Sequence, residues 1–256
     1  MKVLVIGCGY LGHTVADILK NKNSVTVTRT QTPCPLQGVH FELLRPSLFS
    51  KISHLVNQFD VFIITAAPSS SLDYPSTYLI LARKLQKALK DLSGKTLIYT
   101  SSTGVYAEMN GHLINETAPL DLDRSHILIN TEKTYLSLVS HRIVIARLSG
   151  LTGSLRPLSK MYERYLHQAM PKRMANFIDV KNAAHFIQYA LYHPIRGVFN
   201  CSTLTDLNVN IFQKIYKKSP QIADGPKKFV HGGSKQIDSR KVLSDAGFRW
   251  LAIKPE

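Results

Sequence analysis

The chain has 256 residues, 44% of them hydrophobic and 19% charged, enough to bury a sizeable core as one α/β domain or as a domain with a smaller lobe. No apolar run is long enough to cross a bilayer, which argues against a membrane span. The net charge of +15 favours anionic ligands, and it is denser in the last third, at Lys217, Lys218, Lys227, Lys228, Arg240 and Lys241. No recognition helix, aromatic-basic ribbon or zinc spacing accompanies it, so nucleic-acid binding is the weakest function considered. The three cysteines, Cys8, Cys34 and Cys201, are scattered and odd in number, which fits a reducing cytoplasm.

In chain order, Lys2 to Ile6 is a short β-branched and aliphatic run without helical period, expected as a strand buried on both faces. It is too short for the core of a signal peptide. Gly7-Cys8-Gly9-Tyr10-Leu11-Gly12 follows at once, then an amphipathic helix with Val15, Ile18 and Leu19 on one face, then a second strand at Ser24 to Thr28. Strand, G-x-G-x-x-G, helix and strand within about thirty residues is the dinucleotide-binding fingerprint in the setting that gives it meaning. Gly7 permits the tight turn, Gly9 lets backbone approach a pyrophosphate, and Gly12 lets helix pack close to strand. The N–H groups of Tyr10 and Leu11 belong to a helix start whose partial positive charge suits phosphates.

A site that prefers NAD usually carries an acid at the end of the second strand. Here Thr28, Arg29 and Thr30 hold that place, and an arginine suits a ribose 2′-phosphate, so NADP is expected, with NAD the alternative. A short strand at Val39 to Leu44 and a helix at Pro46 to Asn57 come next. Val61 to Thr65 is a further buried strand ending in Ala66-Ala67-Pro68, small residues that leave room for a ligand at a strand exit. After Ser69-Ser70-Ser71 and Tyr74-Pro75 an amphipathic helix runs to Lys90. Thr96 to Thr100 is a fifth strand, leading into Ser101-Ser102-Thr103-Gly104-Val105-Tyr106, and Ile143 to Ala146 is a sixth. Later helices are expected at Leu158 to Met170, Val180 to Tyr192, Leu207 to Lys217 and Ser239 to Asp245, with Trp250 buried against the last.

The GCGYLG turn, the SSTGVY after the fifth strand and Arg147-Leu148-Ser149-Gly150 after the sixth resemble the extended short-chain dehydrogenase/reductase superfamily. Asn115 to Leu120 is similar to the acidic-and-proline segment before its active-site helix, and Asn176 to Val180 and Gly197 to Asn200 resemble its later segments. Nearest in pattern are the NAD-dependent epimerase/dehydratase-like proteins of the atypical branch, which carry GxGxxG. The resemblance implies a doubly wound parallel sheet, a Rossmann core over 1–150 and a small substrate-covering lobe within 151–256. It also places Leu148 and Ser149 against the nicotinamide and makes Ser102 the active-site serine, with Thr103 second.

One departure matters. The superfamily's Tyr-x-x-x-Lys is missing, because none of the eleven tyrosines has Lys four residues on. Counting back from Glu132, its positions fall on Arg124 and Leu128, which cannot play those parts. Tyr106, Arg124 and His126 remain as proton sources, and Tyr106 is expected to pack near the nicotinamide. The histidines are isolated, so no metal site is expected, and no G-x-S-x-G elbow points to a hydrolase. Two functions stand: an NAD(P)-dependent epimerase/dehydratase-like oxidoreductase on a nucleotide-linked sugar or another small carbonyl or hydroxyl substrate, or a cofactor-binding sensor without turnover. The expected partners are a nicotinamide dinucleotide and a small-molecule substrate, and a homodimer is compatible with either.

Overall fold

The structure, a computed structural model, describes residues 1–32, 34–66, 76–216, 229–231 and 233–253. Ala67, Pro68, the serines at 69–71, Tyr74-Pro75 and the lysines at 217, 218, 227 and 228 lie outside them. The first half alternates strand and helix: β1 (Lys2–Ile6), α1 (Tyr10–Leu19), β2 (Ser24–Arg29), β3 (His40–Leu43), α2 (Ile52–Leu55), β4 (Val61–Ile64), α3 (Leu81–Leu89) and β5 (Thr96–Ser102). A two-residue strand β6 (Leu113–Ile114), α4 (His126–Leu136), β7 (Arg142–Leu148) and β8 (Gly150–Thr152) follow. The second half holds α5 (Leu158–Tyr162), β9 (Met170–Lys172), β10 (Met174–Asp179), α6 (Val180–Tyr192), β11 (Gly197–Cys201) and β12 (Leu204–Leu207). It ends with α7 (Asn208–Tyr216), β13 (Phe229–His231), β14 (Gln236–Ile237) and α8 (Arg240–Ser244).

Seven strands form one parallel sheet in the order β11-β7-β5-β4-β1-β2-β3. Strands joined by helices must run parallel, and right-handed crossovers carry the helices to both faces. The period-two pattern of β1 shows the result: Val3 and Val5 enter one core with α1 and α6, while Leu4 and Ile6 enter the other with α3. The order reverses at β1, which lies between β2 and β4, so the crevice at the carboxyl ends of β1 and β4 is the switch point where open sheets take ligands. A smaller sheet, β12-β10-β8, stands beside it over a separate cluster that includes Leu158, Tyr162, Met170 and Phe212. Asp179 caps α6, accepting the Lys181 N–H at 2.7 Å, which gives the acid of that segment a structural task.

Three expectations need correction. The helix at Leu158 to Met170 ends at Tyr162, followed by a 3-10 turn over Glu163–Leu166, because Met170 is drawn into β9 and pairs with Phe229 of β13. Pro46 to Asn57 is a 3-10 turn, the single α-turn α2 and a second 3-10 turn. Nor do the cysteines all stand apart: Cys8 and Cys34 form a disulfide, their Cα atoms 6.3 Å apart, and only Cys201 is a free thiol, buried. Parallel pairing of β1 with β2 sets Ile6 beside Thr28 and brings the two strand exits together, which sequence spacing hid.

Below the sheet's carboxyl end lies a buried ion pair. Arg147 of β7 donates through NH2 to Glu132 of α4 at 2.7 Å, both side chains nearly inaccessible. Burial works against the guanidinium charge, but the carboxylate and its hydrogen bonds outweigh that and hold Arg147 above the usual arginine value. Arg147 Nε also donates to Glu132 (3.1 Å), and Nη1 donates to the Tyr106 hydroxyl at 2.8 Å. Glu132→Ala strands the guanidinium, and we expect the unfolding free energy to fall by about 3–5 kcal/mol. Urea denaturation measures it, and the added change Arg147→Met should recover part of the loss.

Candidate functional site

The site starts from the glycine turn. Gly7 has φ +102°, and a Cβ there would stand 2.5 Å from the Ala66 Cα. A Cβ on Gly12 would stand 2.1 Å from the Gly7 carbonyl oxygen, so α1 crosses directly over the exit of β1. Gly9 differs: its φ is −88°, and among the described residues a Cβ there would meet nothing within 4 Å. Neither backbone conformation nor packing against the described residues explains that glycine, which lines the cavity described next. The turn is pinned by the Thr65 hydroxyl donating to the Gly7 carbonyl (2.7 Å) and by the Cys8 N–H donating to the Thr28 carbonyl (2.8 Å).

A cavity of about 500 Å³ opens over this turn at the carboxyl ends of β1, β2, β4, β5 and β7. It is lined by Gly7, Cys8, Gly9, Tyr10 and Leu11 on one side and by Arg29 and Thr30 at the end of β2. Ala66, Ser102, Leu148 and Ser149 complete the expected residues that it gathers. Gly12 lies behind the wall, where its part is to let the helix approach. Among the described residues the lining carries two arginines, Arg29 and Arg156, and no carboxylate, a wall suited to an anion.

Two serines of the wall carry a specific signal. Ser101 near the end of β5 and Ser149 after β7 are 6% and 5% exposed, and neither hydroxyl has a hydrogen-bond partner among the described residues. A buried unsatisfied hydroxyl costs on the order of 1–3 kcal/mol. Placed on a cavity wall, both are positioned to be satisfied by a polar ligand. Together with the space beside Gly9, they fit a dinucleotide lying across the strand exits.

The proton-transfer half is arranged otherwise. Tyr106 is fully buried, donates to the Asn200 side-chain oxygen at 2.6 Å and accepts from Arg147, away from the cavity lining. Burial lifts its hydroxyl above the usual phenol value, and Arg147 offsets this only in part, so Tyr106 stays protonated as a structural member. Thr103 opens a 3-10 turn beyond the cavity, and Ser102 caps that turn by accepting the Gly104 N–H at 3.0 Å. Arg124 and His126 are exposed and Leu128 is buried in a cluster with Val105 and Ile129, and none of the three lines the cavity.

Sequence reasoning missed Arg156, Tyr78 and the wall residues Leu44, Phe49 and Leu151. Arg156 closes a turn that begins at Gly153, whose φ of +132° sets it against the Tyr10 hydroxyl. Tyr10 donates to the Thr152 carbonyl (3.2 Å), and the Arg156 guanidinium lies 5.4 Å from the Tyr10 ring centroid. Nothing in the Gly153–Arg156 stretch sets it apart as sequence from an ordinary surface turn. Among the described residues no group of His, Cys, Asp and Glu side chains is placed to hold a metal ion, and no helix is long and apolar enough to cross a membrane.

No family model matches the sequence, and no curated protein matches it. Solved structures do match by shape. WbmG of Bordetella bronchiseptica, in complex with NAD and UDP, is 17% identical with a TM-score of 0.80, over 99% of this chain and 91% of that one. UDP-glucuronic acid 4-epimerase of Bacillus cereus, in complex with UDP-glucuronic acid and NAD, is 17% identical with a TM-score of 0.78, over 99% and 95%. The dTDP-glucose 4,6-dehydratase of Bacillus anthracis, in complex with NAD, is 15% identical with a TM-score of 0.79, over 98% and 91%. The chain therefore shares its Rossmann-type fold with these three proteins.

Proposed function

We propose that the chain binds a nicotinamide dinucleotide across the carboxyl ends of its sheet and works as an epimerase/dehydratase-like oxidoreductase on a nucleotide-linked sugar or another small carbonyl or hydroxyl compound. The observation that carries this reading is the cavity over the glycine turn, with a void beside Gly9 and two unsatisfied serine hydroxyls on its far wall. Gly7, Gly9 and the start of α1 would hold the diphosphate, Ser149 and Leu148 the nicotinamide end, and Ala66 the space between. Ala67 and Pro68 belong to the same reading but lie outside the described residues. When bound, the nicotinamide supplies a reversible hydride acceptor and donor. Ser102, in the cavity lining, would hydrogen-bond a substrate oxygen in this reading.

The cofactor in this reading is NADP, since the wall at the end of β2 presents Arg29 and Thr30 and no carboxylate. The names of the shape-related proteins mention NAD, and NAD remains the competitor in the test. Residues 1–150 would carry the dinucleotide and 151–256 the lobe over the substrate, with α6 and β11 returning to the core. Cytoplasmic residence belongs to the same proposal. A second reading, cofactor binding without turnover, is favoured by one observation: Tyr106 is locked in a buried network and the positions counted for Tyr-x-x-x-Lys stand off the cavity.

Titration with NADP(H) and NAD(H), followed by a panel of carbonyl and nucleotide-sugar substrates, separates the readings. Binding with turnover that Ser102→Ala abolishes supports the enzyme, and binding with no turnover on any substrate supports the sensor. Arg29→Asp is expected to weaken NADP about 10- to 100-fold and NAD far less, as befits loss of charged hydrogen bonds. Equal weakening of both would remove the 2′-phosphate assignment. The glycines divide in the same experiment. Gly12→Ala should cost about 1–3 kcal/mol of stability by crowding the Gly7 carbonyl, whereas Gly9→Ala should leave the urea midpoint nearly unchanged and weaken both coenzymes.

A further inference from the structure

The Cys8–Cys34 bond joins the glycine turn, which lines the cavity, to the segment that follows the wall residues Arg29 and Thr30. Cys8 is the residue between the two glycines of the turn, lines the cavity and is 4% exposed. Cys34 lies in the segment between β2 and β3, just beyond Arg29 and Thr30. Among the described residues that segment has few other anchors: Cys34 and Leu36 pack against the core, and the Lys20 ammonium donates to the Gln37 carbonyl (3.3 Å). Among the described residues, no backbone hydrogen bond ties positions 30–38 to the rest of the chain. The glycine turn, by contrast, is held by three hydrogen bonds to Thr28 and Thr65. The disulfide is thus a tether from a rigid element in the cavity wall to a lightly held one.

We propose that Cys8 and Cys34 are a thiol–disulfide modification site that sets the affinity of this cavity for its dinucleotide, an inference that rests on the reading proposed above. With the bond closed, Cys34 is already held beside the glycine turn, and the wall at Arg29 and Thr30 is fixed before the ligand arrives. With the bond open, fixing that wall becomes a cost of binding, and affinity falls. Coupling is reciprocal, so a bound dinucleotide must favour the closed form by the same factor.

The chemistry needs only a low-molecular-weight thiol and its disulfide. A thiolate attacks one sulfur of the Cys8–Cys34 bond, forming a mixed disulfide and releasing the other cysteine as a thiolate, which takes up a proton. A second thiol attacks the mixed disulfide and frees the remaining cysteine, so two thiols become one small disulfide as two protein thiols form. Oxidation is the reverse, with the small disulfide as the two-electron acceptor. In a cytoplasm such a bond would open and close with the thiol pool.

The test uses the full chain in both thiol states. Thiols are counted under denaturing conditions after equilibration with excess small-molecule disulfide or excess dithiothreitol: one (Cys201) is expected in the first case and three in the second. NADP and NAD are then titrated by calorimetry, with the oxidised form expected to bind about tenfold more tightly. Cys34→Ser, which leaves the glycine turn intact, should bind with the weaker affinity in both conditions. It also serves as a folded control, judged by its circular dichroism. Three thiols after oxidation overturn the inference without touching the dinucleotide reading, and so does equal affinity of the two states when one thiol is counted. Binding of neither coenzyme in either state overturns the dinucleotide reading, and the coupling with it.

Discussion

The structure depends on a close approach of backbone to backbone at the exit of β1. Gly12 brings α1 so near the Gly7 carbonyl that a single added carbon would stand 2.1 Å from it, and Gly7 itself lies against Ala66 at the exit of β4. Helix, first strand and fourth strand are therefore locked at one point, and that point is where the strand order reverses. Everything proposed for the cavity follows from this. The crevice exists because α1 after β1 and α3 after β4 pack on opposite faces of the sheet, and its floor is exposed backbone because the glycines there have no side chains to cover it.

Two glycines are spent on packing and one is not. Gly7 and Gly12 meet protein atoms at distances no Cβ could tolerate, whereas Gly9 meets none among the described residues. The space beside Gly9 and the unpartnered hydroxyls of Ser101 and Ser149 are separate features that suit a polar ligand, one steric and one of hydrogen bonding. Two arginines in the wall add the sign of its charge. The disulfide beside the turn ties the same place to the thiol chemistry of its surroundings.

Where a tyrosine and lysine would handle protons in the resembled superfamily, the chain has invested its buried polarity in structure. Arg147, Glu132, Tyr106 and Asn200 form one connected set, and the Asn200 side-chain nitrogen donates on to the carbonyls of Ile114 and Asp238. This set clamps β7, α4, the turn after β5 and the last segment of the chain together. Such a network resists substitution because each member, once stranded, bears the cost of its own burial. A tyrosine so engaged is a strut.

The sequence alone determined the parallel sheet, the glycine turn and most helix positions, Val180–Tyr192 to the residue, because these rest on local periodicity and on short-range turn chemistry. That Gly7, Gly9, Tyr10, Leu11, Arg29, Thr30, Ala66, Ser102, Leu148 and Ser149 come together around one cavity was legible for the same reason, since they lie at strand exits or in the first turn of α1. Only tertiary structure decided what depends on contacts far apart in the chain. It paired Cys8 with Cys34 through the register of β1 on β2, and it drew Met170 out of a helix into a strand. It turned Tyr106 inward to Arg147 and Asn200, and it swung Arg156 over Tyr10 to face the cavity. Sequence patterns report which face of an element is apolar, while the neighbour that meets that face is chosen when the elements pack.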